Sequence, residues 1–371
     1  GDGSTSDRVQ AVDVVGLSSG VATVAVGSAH SCAVLSDGAA KCWGNNSSGQ
    51  LGDSSTTRRT TPTDVVTLNR NVIRLTAGDS HTCALLSTGI VKCWGYNGSG
   101  QLGNGASSTR TTLIDVAGLS SGISTIAAGN DTSCAVTNGG GAKCWGYNGY
   151  GQLGDGTTIN RPAPVDVINL SEVSKIVTDG YHSCALSITG SVQCWGYNGY
   201  GQLGDGTLTS QYQPVAVSNL SSGVIDLTVG NFHSCALLNS GGVKCWGYNG
   251  YGQLGDNTNL RRETPVDVFG LTSGVKAIAA AGYHSCALLT SGAVRCWGAN
   301  YYGQLGDGTT TSRPTPVSSV GLDTGVAALS AGSDNTCALI NNGAVRCWGA
   351  NYYGQLGDGT TTSRPTPVSS V

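Results

Sequence analysis

"CWGYNGYGQLGDGT" occupies residues 144–157, and the same fourteen letters return at residues 194–207. The first copy opens on Cys144 and the second on Cys194; close variants begin at Cys42, Cys93, Cys245, Cys296 and Cys347. Ten residues before each copy stands another cysteine: Cys32, Cys83, Cys134, Cys184, Cys235, Cys286 and Cys337. These recur every 51 residues, with one step of 50, so the 371-residue chain reads as a single array, 1–371, with no second domain.

Within residues 72–117, "VIRLTAG" is short and β-branched, "HTCALLS" alternates its two faces, "TG" turns, and "IVKCWG" returns. A Gly/Asn/Ser/Thr-rich segment then leads to a last short run, "LIDV". Four short strands per repeat, bounded by turn residues and without 3.6-residue periodicity, predict a four-stranded antiparallel sheet. Such sheets repeated around an axis are propeller blades, and two apolar faces per blade require a closed ring. The expectation is an all-β, seven-bladed β-propeller. Its blade hairpins fall around 21–44, 72–95, 123–146, 173–196, 224–247, 275–298 and 326–349.

Every repeat spaces its cysteines as Cys-x9-Cys. The couples are Cys32 with Cys42, Cys83 with Cys93, Cys134 with Cys144, Cys184 with Cys194, Cys235 with Cys245, Cys286 with Cys296, and Cys337 with Cys347. A three-residue loop at Ser87–Gly89 sets Leu86 opposite Ile90, and counting outward brings Cys83 opposite Cys93. Opposed residues in a non-hydrogen-bonded pair lie about 4.5 Å apart at Cα, within reach of a disulfide. Zinc would need four converging ligands, and two thiols per blade do not supply them. Free thiols are the remaining alternative, but fourteen pairable cysteines with none left over point to oxidation. One disulfide per blade implies an extracellular or cell-surface location.

Charged residues make up 11% and the net charge is −3. Nucleic-acid binding is disfavoured, because phosphate neutralisation needs clustered Lys and Arg. No apolar run reaches the ~20 residues that span a bilayer as a helix. The tryptophan after each second cysteine is expected to fill the space between sheets. His30, His81, His182, His233 and His284 precede a cysteine by two residues and sit on different blades, which favours structural hydrogen bonding over a shared metal. Asp155, Asp205, Asp307 and Asp358 in "GDGT" suit Asx turns better than calcium, which wants six to eight oxygens. No nucleophile elbow, phosphate-cradling loop or pair of unique carboxylates stands out, so no enzyme, metal or cofactor is expected. Asn46, Asn97, Asn130, Asn169 and Asn219 head N-x-S/T triplets open to glycosylation in a competent host.

The pattern CALLxxGxVxCWGxNxxGQLGDGT, written seven times over essentially the whole chain, resembles the repeats of the regulator of chromosome condensation family. The resemblance implies a seven-bladed β-propeller with repeats of this length. It does not carry over one activity. The eukaryotic namesake binds chromatin and drives nucleotide exchange on a small GTPase, a role for which this chain lacks the basic surface. Its cysteine pairs make it look more like the secreted bacterial branch, whose β-lactamase inhibitor propellers recognise targets through loops on one face.

Eleven of the fourteen tyrosines lie in the loop after the tryptophan. Fold symmetry should gather them at one end of the disc, where tyrosine offers large contact area at small entropic cost. The first position (Tyr96, Tyr147, Tyr197, Tyr248) is expected to pack beneath its own turn. The second (Tyr150, Tyr200, Tyr251, Tyr302, Tyr353), with Tyr301 and Tyr352, is expected to be exposed and to bind. The partner expected is another protein or further copies of the chain, with a glycan as a third possibility. Residues 1–15 and 357–371 read as two copies of one closing strand. One closes the ring and the other is surplus, which raises the alternative of an extracellular filament joined by strand addition.

Overall fold

Each repeat becomes a sheet where its β-branched residues lie. In blade 2 the strands are Val72–Ala77, His81–Leu86, Val91–Gly95 and Arg110–Asp115. The outermost begins three residues before the expected "LIDV", because the pairing slips by a bulge between Cys93 and Gly95 and sets Gly95 opposite Arg110. The same plan recurs over Val21–Asp64, Ile123–Asp166, Val173–Ala216, Val224–Asp267, Val275–Ser318 and Val326–Ser369, giving seven four-stranded antiparallel sheets, each in chain order. The structure is a computed structural model in which residues 14, 16, 17, 19–356 and 360–369 are described. Among them there is no helix, hence none long and apolar enough to cross a membrane.

First strands of neighbouring blades lie side by side around the axis, and that of blade 7 meets that of blade 1. The disc is therefore closed. Its core is seven wedges between blades rather than one central mass. In the first wedge Val34, Cys42, Leu51 and Leu68 of blade 1 and its connector face Leu75 and Trp94 of blade 2. In the closing wedge Trp43, Val21, Val14 and Leu17 face Leu339 and Val345. Of the two terminal copies, the C-terminal one supplies Arg364–Ser369, the outer strand of blade 7, paired to Arg346 and Gly349. Of the N-terminal copy, 1–13 and 15 lie outside the described residues.

All seven expected disulfides are present. Cys83 stands opposite Cys93 and is bonded to it, and the same register joins Cys32 to Cys42, Cys134 to Cys144 and Cys184 to Cys194. It also joins Cys235 to Cys245, Cys286 to Cys296 and Cys337 to Cys347. The paired Cα atoms are 4.0–4.1 Å apart. In blade 3, Cys144 also fixes the outer strand: it faces Val165, and the bulge follows it, before Gly146. Every sulfur is buried at a wedge.

The repeated loop letters explain themselves as a clamp. Asn148 is buried, its Oδ1 accepts from Leu153 N (2.9 Å), and its Nδ2 donates to Asp155 Oδ1, Thr157 O and Ile159 O (each 3.1 Å). Gln152 Oε1 takes Tyr150 N (3.0 Å), while its backbone carbonyl accepts from Trp195 Nε1 (2.9 Å) and Ser183 Oγ (2.9 Å) of the next blade. A Cβ on Gly154, at φ +71°, would stand 2.7 Å from that indole nitrogen, so only glycine lets the loop approach. Asp155 does form the Asx turn, accepting Thr157 N at 3.0 Å, but its other oxygen meets Arg161 Nε at 2.7 Å. Burial raises its pKa, and the bonds from Thr157 and Arg161 outweigh that and hold it below the usual range. Both carboxylate oxygens are thus engaged within the loop itself. Asp358, the last of the series, lies outside the described residues.

The histidines are structural as expected. His182 Nε2 lies 2.7 Å from Ser234 Oγ, and His30, His81, His233 and His284 make the same bond to the next blade at 2.8–2.9 Å. Asn46 and Asn97 head two of the glycosylation triplets, yet both are fully buried in the clamp; Asn169 and Asn219 are exposed.

Candidate partner-binding face

The turn between the first and second strands and the long loop between the third and fourth leave each blade at the same end. Tyrosine therefore collects there, as the loop position implies. The expected division into packed first rings and exposed second rings is not what the structure shows. Tyr150, Tyr301, Tyr352 and Tyr353 are exposed, but so is Tyr96, whereas Tyr200, Tyr251 and Tyr302 are half-buried.

The reason is interlocking between blades. Four of the second rings meet the first ring of the next loop, Tyr150 with Tyr197 at 5.2 Å between centroids and Tyr200 with Tyr248 at 4.9 Å. Tyr251 meets Tyr301 at 5.6 Å, and Tyr302 meets Tyr352 at 5.6 Å. Within a loop, Tyr147–Tyr150, Tyr197–Tyr200 and Tyr248–Tyr251 are edge-to-face at 6.0–6.2 Å. Such edge contacts are favourable beyond the area they bury.

Three further aromatics back this arc, and the repeat reading missed them. Tyr181, Phe232 and Tyr283 touch Tyr150, Tyr200 and Tyr251 at 5.3, 5.2 and 5.4 Å, and Tyr181 stacks on Phe232 at 4.8 Å. The contacts run unbroken from Tyr147 to Tyr301, across blades 3 to 6. The signal was present. The residue before the histidine column is Ala29, Ser80, Asp131, Tyr181, Phe232, Tyr283 and Asp334 in turn, so aromatics fill blades 4 to 6 and carboxylates stand on both flanks.

Asp131 accepts from Gln101 Nε2 (2.5 Å) and Asp334 from Gln304 Nε2 (3.2 Å). Burial raises the pKa of both, for Asp131 with help from Asp79. Each neighbours a tyrosine whose phenol is pushed upward: Tyr147 by burial first, then Tyr150 and Tyr181, with Asp131 adding least, and Tyr302 by Tyr352 first and then Asp334.

Nearer the axis, Asp179 stands where blades 1, 2, 3, 5 and 7 carry Gly27, Gly78, Gly129, Gly230 and Gly332. It breaks the repeat, and reading the copies side by side would have exposed it. The Asn130 amide lies between two carboxylates, which require its nitrogen to face them; so turned, it donates to Asp179 Oδ1 (3.0 Å) and Asp79 Oδ1 (3.2 Å), while Ser28 Oγ donates to Asp79 and lies 2.8 Å from Ser333 Oγ. Burial, then the charge of Asp79, pushes Asp179 up to about 8. Together with the first strands this group lines an axial cavity of about 290 Å³. Among the described residues, no three His, Cys, Asp or Glu side chains are arranged to hold a metal.

The profile of the RCC1-like domain matches residues 1–273, and the regulator of chromosome condensation (RCC1) repeat matches within 275–304, 326–355, 291–339 and 342–371. The chain is similar to the ultraviolet-B receptor UVR8 of Arabidopsis thaliana, at 30% identity over 354 residues covering 94% of this chain and 69% of that protein. It is 36% identical over 147 residues to the probable E3 ubiquitin-protein ligase HERC4 of Homo sapiens, a match to 39% of this chain and only 14% of that protein. In structure it is similar to human WBSCR16, with TM-score 0.78, 24% identity and 88% of each chain covered. It is equally similar to Prp20p of Saccharomyces cerevisiae, with TM-score 0.78, 23% identity and coverage of 89% and 85%. That yeast structure was described together with binding properties toward Gsp1p and histones. At these identities the two structural likenesses speak to the fold.

Proposed function

The chain belongs to the regulator of chromosome condensation (RCC1) family, and on that premise we propose that it is a non-catalytic protein-binding propeller that receives its partner on the tyrosine-rich face. One observation carries the proposal: the unbroken arc of rings from Tyr147 to Tyr301, packed against one another and open at one end of a closed disc. Rings whose edges are held by neighbours lose little further rotamer freedom on binding, and aromatic-rich patches of this kind are typical of interfaces. Relatives lend support, since the yeast propeller is described as bound to Kap60 and as binding Gsp1p and histones.

Seven buried disulfides favour assembly in an oxidising compartment, so the proposal extends to a secreted or cell-surface protein. The test is affinity capture with the wild-type chain against a Tyr150→Ala/Tyr200→Ala/Tyr251→Ala variant of matched thermal stability. A protein retained by the first and lost by the second supports the reading. Equal retention removes the tyrosines from the interface, and capture of glycan alone replaces the partner class.

A further inference from the structure

Several carboxylates of the disc have cationic partners close by. Lys92 Nζ meets Asp115 at 2.6 Å on an outer strand, and Arg161 Nε meets Asp155 at 2.7 Å in a loop. Two carboxylates at the tyrosine-rich end lack such a partner. Among the described residues, no Lys, Arg or His forms an ion pair with Asp131 or Asp334. Each takes an amide hydrogen bond instead, from Gln101 and from Gln304. An amide supplies a dipole where a half-buried charge calls for a full counter-charge, which leaves room for a cation to improve the site.

Their placement is specific. Asp131 and Asp334 occupy the same position of the repeat as Tyr181, Phe232 and Tyr283, one on each side of that aromatic run. The surface is thus apolar and aromatic in its middle and anionic at both ends. A neutral glycan would have no use for the two charges. An acidic segment would be repelled by them.

We propose that this face receives an extended protein segment with an apolar centre and a basic residue toward each end, the cations meeting Asp131 and Asp334 and the centre lying on the aromatic run. The inference rests on the protein-binding reading above and names the chemistry of the segment. Arginine suits the flanks best, because its planar guanidinium can hold a carboxylate and lie on Tyr147 or Tyr302 together.

The test uses the intact chain and three fluorescent ten-residue peptides: arginine at both ends of a Pro-Phe-Pro-Phe centre, the same centre with glutamate ends, and arginine ends around Gly-Ser-Gly-Ser. Anisotropy should show binding of the first alone, weakened by salt. Asp131→Asn with Asp334→Asn should lower that affinity by about tenfold or more and flatten the salt dependence. The disulfides and melting temperature should be unchanged, since each asparagine can still pair with its glutamine. Equal binding of the arginine- and glutamate-ended peptides, no binding of any, or an asparagine variant that binds as well as wild type would overturn the inference. Loss of capture in the tyrosine variant alongside an unaffected asparagine variant would leave the protein-binding reading standing and remove only the charge pattern.

Discussion

His182 is enclosed on every side and bonded to Ser234, and burial pushes its pKa down to about 3. His81 and His233 are likewise at about 3, and His30 and His284 at about 4, burial being the leading cause in each. An unfolded histidine takes up its proton near pH ~6.5, so below that the unfolded chain binds protons the folded one refuses. Stability should be complete above about pH 6.5 and fall toward pH 4, by about 1.4 kcal/mol per pH unit for each histidine. Acid unfolding followed by near-ultraviolet circular dichroism should be steep across that window. Asp179 runs the other way. Its folded carboxyl holds a proton up to about 8 while the unfolded one releases it near ~3.9, so its contribution falls as pH rises through that range. Asp179→Asn should therefore raise the melting temperature at pH 8 and leave it nearly unchanged at pH 4, as scanning calorimetry would show. A lower melting temperature at pH 8 would mean that the carboxylate is compensated by something other than Asn130.

At the scale of the element, the unit is a hairpin with a disulfide across it and a loop clamped onto the next blade. Each disulfide closes a loop of ten residues' separation. Chain-entropy arguments give such a closure about 2–3 kcal/mol, so Cys184→Ser with Cys194→Ser should lower stability by about that amount without unfolding the disc. Urea denaturation measures it directly. The oxidised chain, unfolded without reductant, should show no alkylatable thiol by intact mass. Asn198→Ala cuts more deeply into one loop, since Asn198 bonds Leu203 N, Asp205 Oδ1, Thr207 O and Thr209 O from a buried site. Leaving those groups unpaired should cost about 1–3 kcal/mol, more than an exposed substitution such as Thr209→Ala in the same loop.

For the whole molecule, closure is the feature that distinguishes one wedge from six. Trp94, Trp145, Trp195, Trp246, Trp297 and Trp348 each donate Nε1 to a glutamine carbonyl of the preceding blade at 2.8–2.9 Å. Trp43, which faces blade 7, has no acceptor among the described residues, although Ser31 Oγ still reaches Gln355 O at 2.9 Å. Trp195→Phe should accordingly cost about 1 kcal/mol more than Trp43→Phe, and hydrogen exchange should report opening first between blades 7 and 1. Removing residues 357–371 takes away the outer strand of blade 7, so the truncated chain should melt at lower temperature. If it melted as the intact chain does, Arg364–Ser369 would not be the strand that completes the blade.

Seven blades, their antiparallel order and the pairing of Cys83 with Cys93 or of Cys134 with Cys144 were legible in the letters because each is a local matter, decided within one repeat by strand period, turn length and spacing. The clamp letters were visible as a pattern, and only the fold assigned them, because Gln152 acts on Trp195, 43 residues away. Tyr181 and Tyr283 were passed over because three aromatics from three blades make a surface only once the ring is closed. The half-buried state of Tyr200 and Tyr251, the meeting of Asp79 with Asp179 through Asn130, and the flanking of the aromatic run by Asp131 and Asp334 have the same origin. One repeat determines a blade through contacts near in sequence; what gathers at the end of the disc depends on differences between repeats, and those acquire physical meaning only where the blades face one another.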